Sequence, residues 1–281
     1  NNDEANWIYN FSLAPILVYS LLFEDSNKIT KWSKNFPIAK LNNNYLNFIA
    51  SHDGIGMRPI EGILSTNTQR KFLIRLKKNG GEFSYRKVQG VKKKVYEANI
   101  TLFNAFKYSD FDKSGIFGFE RYMAAHTIMI SFDGIPAIYF NSMFGNSNDN
   151  SKYIISGNKR DLNRYRWNKD KIEDHLKDQN SKQNKYYKNM SNILDIRSKQ
   201  KAFHPNAIRK TLKLGSNFFG IKRVSTDNKQ SIYCITNMTS KLQLLKLNKN
   251  IFYKRNLFKS KLTKKSGKIQ FEPFQTVWLT N

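Results

Sequence analysis

The residue types with the clearest chemical potential sit together in the run Phe48-Ile49-Ala50-Ser51-His52-Asp53-Gly54-Ile55-Gly56-Met57-Arg58-Pro59-Ile60-Glu61-Gly62. Its apolar half, Tyr45 to Ala50, reads as a buried strand, and His52 and Asp53 stand where that strand should end. Parallel barrel strands are buried on both faces, and reactive groups gather at their C-terminal ends, where loops begin. A carboxylate beside an imidazole at such a place suits gripping sugar hydroxyls. Gly54 and Gly56 are expected to allow backbone angles and close approaches that a Cβ would resist. A guanidinium on the same loop, Arg58, suits a phosphate or carboxylate bidentately, or it fastens the turn at Pro59. Taken alone, a His-Asp pair is also what a hydrogen-bonded turn presents.

Other titratable residues read as structural. Asp3 and Glu4 fit a solvated chain start, and Glu61 is expected to cap or brace the helix that follows it. His126 lies in an apolar helix, His175 in a charged stretch, and His204 at a turn. Cys234 is the only cysteine, which excludes a disulfide framework and suits a reducing cytoplasm. No His, Cys, Asp and Glu spacing matches a metal site, so no metal is expected.

The elements that must position these groups follow from periodicity. Helices are predicted over Leu13 to Glu24, Ile29 to Phe36, Ile60 to Lys77 with a break near Ser65-Thr66-Asn67, Phe117 to Ile130, and Asn180 to Lys199. Two β-like runs, Glu82 to Lys87 and Lys92 to Tyr96, flank Gly90, and Ile135 to Phe140 reads as a short buried strand. From about residue 203 the pattern becomes alternating strands: Phe218 to Val224, Ser231 to Asn237, Leu242 to Leu247, Ile269 to Phe271 and Thr276 to Thr280. The fold class is therefore α/β, followed by an antiparallel β unit, with the division at residues 1–202 and 203–281.

A formal charge of +27, from 48 Lys+Arg against 21 Asp+Glu, would ordinarily suggest a nucleic acid or an anionic membrane. Here the lysines are dispersed among abundant Asn, Ile and Phe, and no nucleic-acid-binding signature accompanies them. Nonspecific, salt-sensitive sticking to polyanions is the expected consequence. The apolar runs are too short or too charged to span a membrane.

Several segments together carry a family resemblance. Phe-x-x-x-His-Asp-Gly-Ile-Gly-x-Arg-Pro-x-Glu-Gly resembles the seventh-strand motif of the sucrose phosphorylase branch of the amylase superfamily (glycoside hydrolase family 13), which includes glucosylglycerate phosphorylases. Glu4-Ala5 through Tyr9-Asn10-Phe11 to Leu13-Ala14-Pro15 is similar to the segment around strand six. Tyr96-Glu97-Ala98-Asn99 resembles a Tyr-Glu-x-Asn loop, and Gly134-Ile135-Pro136 resembles strand eight. Arg160-Asp161-Leu162-Asn163-Arg164 is similar to the Gly-Arg-x-Ile-Asn-Arg segment beyond it, with Lys159 where the family usually has Gly. Ala202-Phe203-His204-Pro205 matches the start of the terminal β domain.

The resemblance implies the C-terminal part of a TIM (β/α)8 barrel, about strands six to eight, followed by the antiparallel domain. It implies Asp53 as the carboxylate that stabilises the transition state, with His52 and Arg160 touching sugar; Arg58, whose guanidinium suits phosphate or a glycerate carboxylate, is expected to face the acceptor. Retaining transfer also needs a nucleophile and an acid/base. In this superfamily these come from strands four and five, so they are expected upstream of the present chain, which is then inactive alone. The implied reaction moves glucosyl from sucrose, glucosylglycerate or a similar glucoside to inorganic phosphate, without a cofactor. Three strands cannot close a barrel, so the outer ones should expose an edge. Two rival functions are an inactive carbohydrate-binding remnant of the family and a basic polyanion-binding protein.

Overall fold

The computed structural model describes residues 5–39, 43–89, 91–248, 251–259 and 262–281. Asp3, Glu4 and Gly90 lie outside them. The chain opens with β1 (Trp7–Tyr9) and then α1 (Leu13–Leu22), all ten of whose residues are buried. A helix apolar on every side belongs inside a core. By contrast, α2 (Asn27–Asn35) buries only Ile29, Trp32 and Ser33. Next comes β2 (Asn44–Asn47), shorter than the predicted strand, so Phe48 to Ala50 already belong to the loop that leads to His52.

That loop contains β3 (Ile55–Gly56) and a 3-10 turn at Arg58–Ile60. The expected break near Ser65 is the start of α3 (Thr66–Lys78), where the Ser65 hydroxyl accepts the Thr68 N–H. A hairpin follows, β4 (Glu82–Val88) and β5 (Val91–Asn99), with β3 paired to the other side of β5. Then come α4 (Leu102–Lys107), capped by Thr101 and not foreseen in the sequence, and the buried α5 (Gly118–Ser131).

The third parallel strand is β6 (Ile135–Pro136). It does not run to Phe140 as predicted: the Ala137 N–H still donates to the Asn47 carbonyl at 2.7 Å, and the chain then leaves the ladder for a 3-10 segment at Phe140–Phe144. The short α6 (Asn150–Ser156) and α7 (Lys169–Lys177) precede α8 (Lys182–Ser198).

The parallel sheet has the order β1-β2-β6, with Ile8 opposite Tyr45 and Leu46 opposite Ile135. Among the described residues β1 has one neighbour only, and its Trp7, Ile8 and Tyr9 are 49, 42 and 59% exposed. A parallel strand is normally covered on both faces, so this edge is open. Gly134 has φ +93° and would set a Cβ 2.2 Å from the Tyr45 carbonyl, so only glycine admits this approach of the β6 segment to β2.

The rest is antiparallel: β7 (Ile208–Thr211), β8 (Phe218–Val224), β9 (Ser231–Asn237), β10 (Gln243–Leu245), β11 (Arg255–Asn256), β12 (Lys264–Lys265), β13 (Lys268–Phe271) and β14 (Thr276–Thr280). They form a five-stranded sheet β11-β14-β9-β8-β7 and a three-stranded sheet β10-β13-β12. One apolar core runs from α1 and α5 into Phe219, Ile232 and Trp278 of the larger sheet.

Buried polar groups fasten this contact. The indole N–H of Trp278 donates to the Ser131 hydroxyl at 3.0 Å. Arg223 donates to the carbonyls of Ser131, His204 and Ala207, and Arg209 pairs with Asp133 at 2.5 Å while donating to the Phe36 carbonyl.

Candidate active site

The C-terminal ends of the parallel strands are tied by buried amides. Asn10, just beyond β1, donates to the Asn47 carbonyl oxygen of its side chain at 2.9 Å, and Asn47 Nδ2 donates to the Asp133 carbonyl at 2.7 Å. Above this tie, the Ser51 hydroxyl accepts the Asp53 N–H at 3.2 Å and shapes the His52-Asp53 turn. Gly54, at φ +119°, would place a Cβ 2.3 Å from the Ala98 carbonyl. Glycine therefore lets the loop lie against β5, with Ile55 opposite Ala98 and Gly56 opposite Glu97. Gly56 itself has open space where a Cβ would go, so the expected requirement for glycine holds at 54 and fails at 56.

Asp53 meets Asn99, Arg160, Asn163 and Arg164 directly. Its Oδ1 accepts from Arg164 Nη2 at 3.0 Å and is paired with Arg160 Nη1 at 3.3 Å and His52 Nε2 at 3.2 Å. Its carbonyl accepts from Asn99 Nδ2 at 2.9 Å and Asn163 Nδ2 at 3.4 Å. The Asp53 side chain is 29% exposed and that of His52 63% exposed, so both can meet a ligand from solvent.

Glu97 is the partner that the sequence reading missed. Arg160 donates to it through Nε at 3.2 Å and Nη2 at 3.1 Å, and Asn99 Nδ2 adds a third bond at 2.6 Å. Both Glu97 oxygens are thus engaged, and the side chain is only 8% exposed. These hydrogen bonds to Glu97 raise the Arg160 pKa; burial opposes them and the charges of Glu97 and Asp53 add to them. A carboxylate held in this way is a poor proton shuttle or nucleophile, whereas Asp53 keeps access to solvent. Among the described residues no second exposed carboxyl joins it in this network.

The turn that carries the arginines, a 3-10 segment at Lys159–Asn163, is capped by Asn158, whose side chain accepts the Arg160 N–H at 3.1 Å. Arg164 Nε also donates to the His52 carbonyl at 3.3 Å. Tyr139 donates to the Asn163 carbonyl at 2.8 Å, and burial raises its pKa. A small cavity of mixed lining adjoins the loop, bounded by Ala50, Ser51, Leu102, Phe103, Tyr139 and Asn163, among others.

Of the residues singled out in the sequence, His52, Asp53 and Arg160 come together. Arg58 does not join them: it is exposed, and its side chain has no hydrogen bond or ion pair among the described residues. It therefore does not fasten the loop either. Glu61 does not brace α3 but pairs with Arg86 at 3.1 Å and Lys94 at 2.8 Å on the hairpin; the Lys94 bond, with help from Arg86, lowers its pKa. Burial of His126 lowers its pKa to about 4. Among the described residues no group of three or more His, Cys, Asp or Glu is placed to hold a metal ion, and no helix is long and apolar enough to cross a membrane.

The residues missed, Glu97, Asn99, Asn163 and Arg164, all lie in segments whose family resemblance was visible. What the sequence did not give was which of their side chains meet.

No family model matches the chain. Its fold is like that of sucrose 6F-phosphate phosphorylase from Thermoanaerobacter thermosaccharolyticum, with a TM-score of 0.68 at 19% identity, covering 87% of this chain and 46% of that one. By sequence it is 31% identical over 251 residues to a glucosylglycerate phosphorylase of Allomeiothermus silvanus, covering 89% of this chain and 44% of that protein. A glucosylglycerate phosphorylase of Escherichia coli (strain K12) is 27% identical over 284 residues, 99% of this chain and 49% of that protein.

The fold is thus of the amylase-superfamily type. Within that superfamily the chain is a relative of the sucrose and glucosylglycerate phosphorylases, and it spans about half the length of the curated relatives it matches.

Proposed function

We propose that this chain forms the C-terminal part of a retaining α-glucosyl phosphorylase that transfers glucosyl from a glucoside such as glucosylglycerate or sucrose to inorganic phosphate. The observation that carries the reading is Asp53: a partly exposed carboxylate beyond the central parallel strand, flanked by His52, Arg160 and Arg164. On this reading β1, β2 and β6 are barrel strands six, seven and eight, residues 1–202 are barrel and residues 203–281 are the covering β domain. Asp53 holds ring hydroxyls more tightly as positive charge grows at the anomeric carbon, which lowers the barrier because the interaction strengthens in the transition state. His52 and Arg160 fix the sugar, and Arg58, exposed on the same loop, faces the acceptor.

The two reacting carboxyls belong to strands four and five of the same barrel, outside these 281 residues, so the chain by itself performs no turnover. The soluble, metal-free chemistry of a cytoplasmic sugar phosphorylase fits this scheme, with phosphate as co-substrate and no further cofactor.

The test is phosphate-dependent release of α-glucose 1-phosphate by the intact protein, comparing wild type with Asp53→Asn. The variant should lose about 100-fold or more in kcat, the scale expected when a group that stabilises transition-state charge is removed. A variant that retains wild-type kcat would refute the role of Asp53. Turnover by the isolated 281 residues would refute the division of catalytic groups.

A further inference from the structure

Lys159 stands where the resembled family usually has glycine, and its side chain is engaged. Its Nζ donates to the Phe83 carbonyl on β4 at 2.7 Å and sits 5.5 Å from the centre of the Tyr85 ring on the same strand. The next residue, Arg160, is held in two-point fashion by Glu97 on the adjoining strand β5. Two consecutive residues of one short turn are thus fastened to both strands of one hairpin.

We infer that Lys159 and Glu97 are positioning residues: together they dock the 159–164 turn onto the β4–β5 hairpin, and this docking aims Arg160 and Arg164 at Asp53. The geometry requires such a device. Arg160 has one face committed to Glu97, which leaves Nη1 directed to Asp53 at 3.3 Å. Arg164, four residues on, reaches the same oxygen while its Nε donates to the His52 carbonyl. A turn with glycine at 159 would be freer to swing, and a bidentate arginine contact tolerates little misplacement. Neither Lys159 nor Glu97 has a hydrogen bond or ion pair to Asp53 among the described residues; each acts through the arginines.

The inference rests on the reading of Asp53 as the sugar-holding carboxylate, and its test separates the two. In the intact protein, Lys159→Gly, Lys159→Met and Glu97→Gln should each raise KM for the glucoside about tenfold with kcat altered much less, and Lys159→Arg should restore most of the loss. In parallel, hydrogen exchange of the backbone amides of residues 158–164 should quicken about tenfold in Lys159→Gly and in Glu97→Gln, with exchange in the β8–β9 core unchanged.

Unchanged exchange and unchanged KM in both variants would overturn the inference. Equal loss in Lys159→Arg and Lys159→Met would overturn it too, because it would show that the donated hydrogen bond is not what matters. If the protein phosphorolyses no glucoside at all, the functional reading fails, while amide exchange still decides whether Lys159 and Glu97 hold the turn.

Discussion

Arg164 donates from Nη2 to Oδ1 of Asp53 at 3.0 Å, bridging 111 positions of sequence. This bond joins the turn before α7 to the loop after β2, and it converges with Arg160 and His52 on one carboxylate oxygen. Asp53 therefore does not stand alone as a loop aspartate; its orientation depends on a segment from the far end of the parallel unit.

Arg164→Ala should change stability by no more than about 1 kcal/mol, since both partners are about a third exposed. Its effect on phosphorolysis should be larger, about 10- to 100-fold in kcat/KM, because Asp53 loses orientation. Arg164→Lys should fall between, keeping the charge but not the fork that also serves the His52 carbonyl. Chemical denaturation together with steady-state kinetics decides this; a large stability loss with intact kinetics would reverse the assignment.

The two loop glycines should behave oppositely. Gly54→Ala forces a left-handed residue to carry a Cβ into the Ala98 carbonyl and should cost more than about 1 kcal/mol, together with loss of ligand binding. Gly56→Ala meets open space and should be tolerated. Thermal melts of the pair test this, and equal effects would show that the loop does not lie on β5 as described.

Arg209 and Asp133 are a buried pair, each side chain 3% exposed, linking β7 to the segment before β6. Asp133→Ala should destabilise the protein by about 3–5 kcal/mol, because the guanidinium stays buried without its counter-charge. The double change Arg209→Met with Asp133→Ala should cost less than Asp133→Ala alone. Urea unfolding of the three proteins measures the coupling; simple additivity would show that the pair is not energetically joined.

His126 gives a pH dependence with a definite sign. Burial lowers its folded-state pKa from 6.5 to about 4, and its Nδ1 bonds to the Tyr122 carbonyl. Between these values the unfolded chain binds the proton and the folded chain does not, so stability falls as pH drops from 6.5 toward 4; above 6.5 this group adds no slope. The scale is about 1.4 kcal/mol for each unit of separation. His126→Gln should flatten the stability profile in that window, and a variant with the wild-type slope would remove His126 as its source.

Much of the local structure was legible. Phe218–Val224, Ser231–Asn237 and Thr276–Thr280 are strands at the boundaries their alternation predicts, because a two-residue period between turn residues is local information. The buried α1 was likewise marked by its unbroken apolar run. Periodicity failed where other forces ruled: the chain leaves the β6 ladder after Ala137 for a 3-10 turn, and α4 and α7 depend on the side-chain caps Thr101 and Asn168 rather than on a long apolar stripe.

The site divides in the same way. Sequence alone determined that a histidine, an aspartate and a glycine-rich turn follow a buried strand, since adjacent residues travel together wherever the chain goes. Only the tertiary structure decided that Glu97 takes two donors of Arg160, that Arg164 shares Asp53, and that Glu61 serves the hairpin instead of a helix. A guanidinium carries the same charge toward every carboxylate, so its partner is chosen by which backbone segments the core brings within about 3 Å, the reach of a hydrogen bond. That choice is made by packing between residues far apart in sequence, and no local pattern records it.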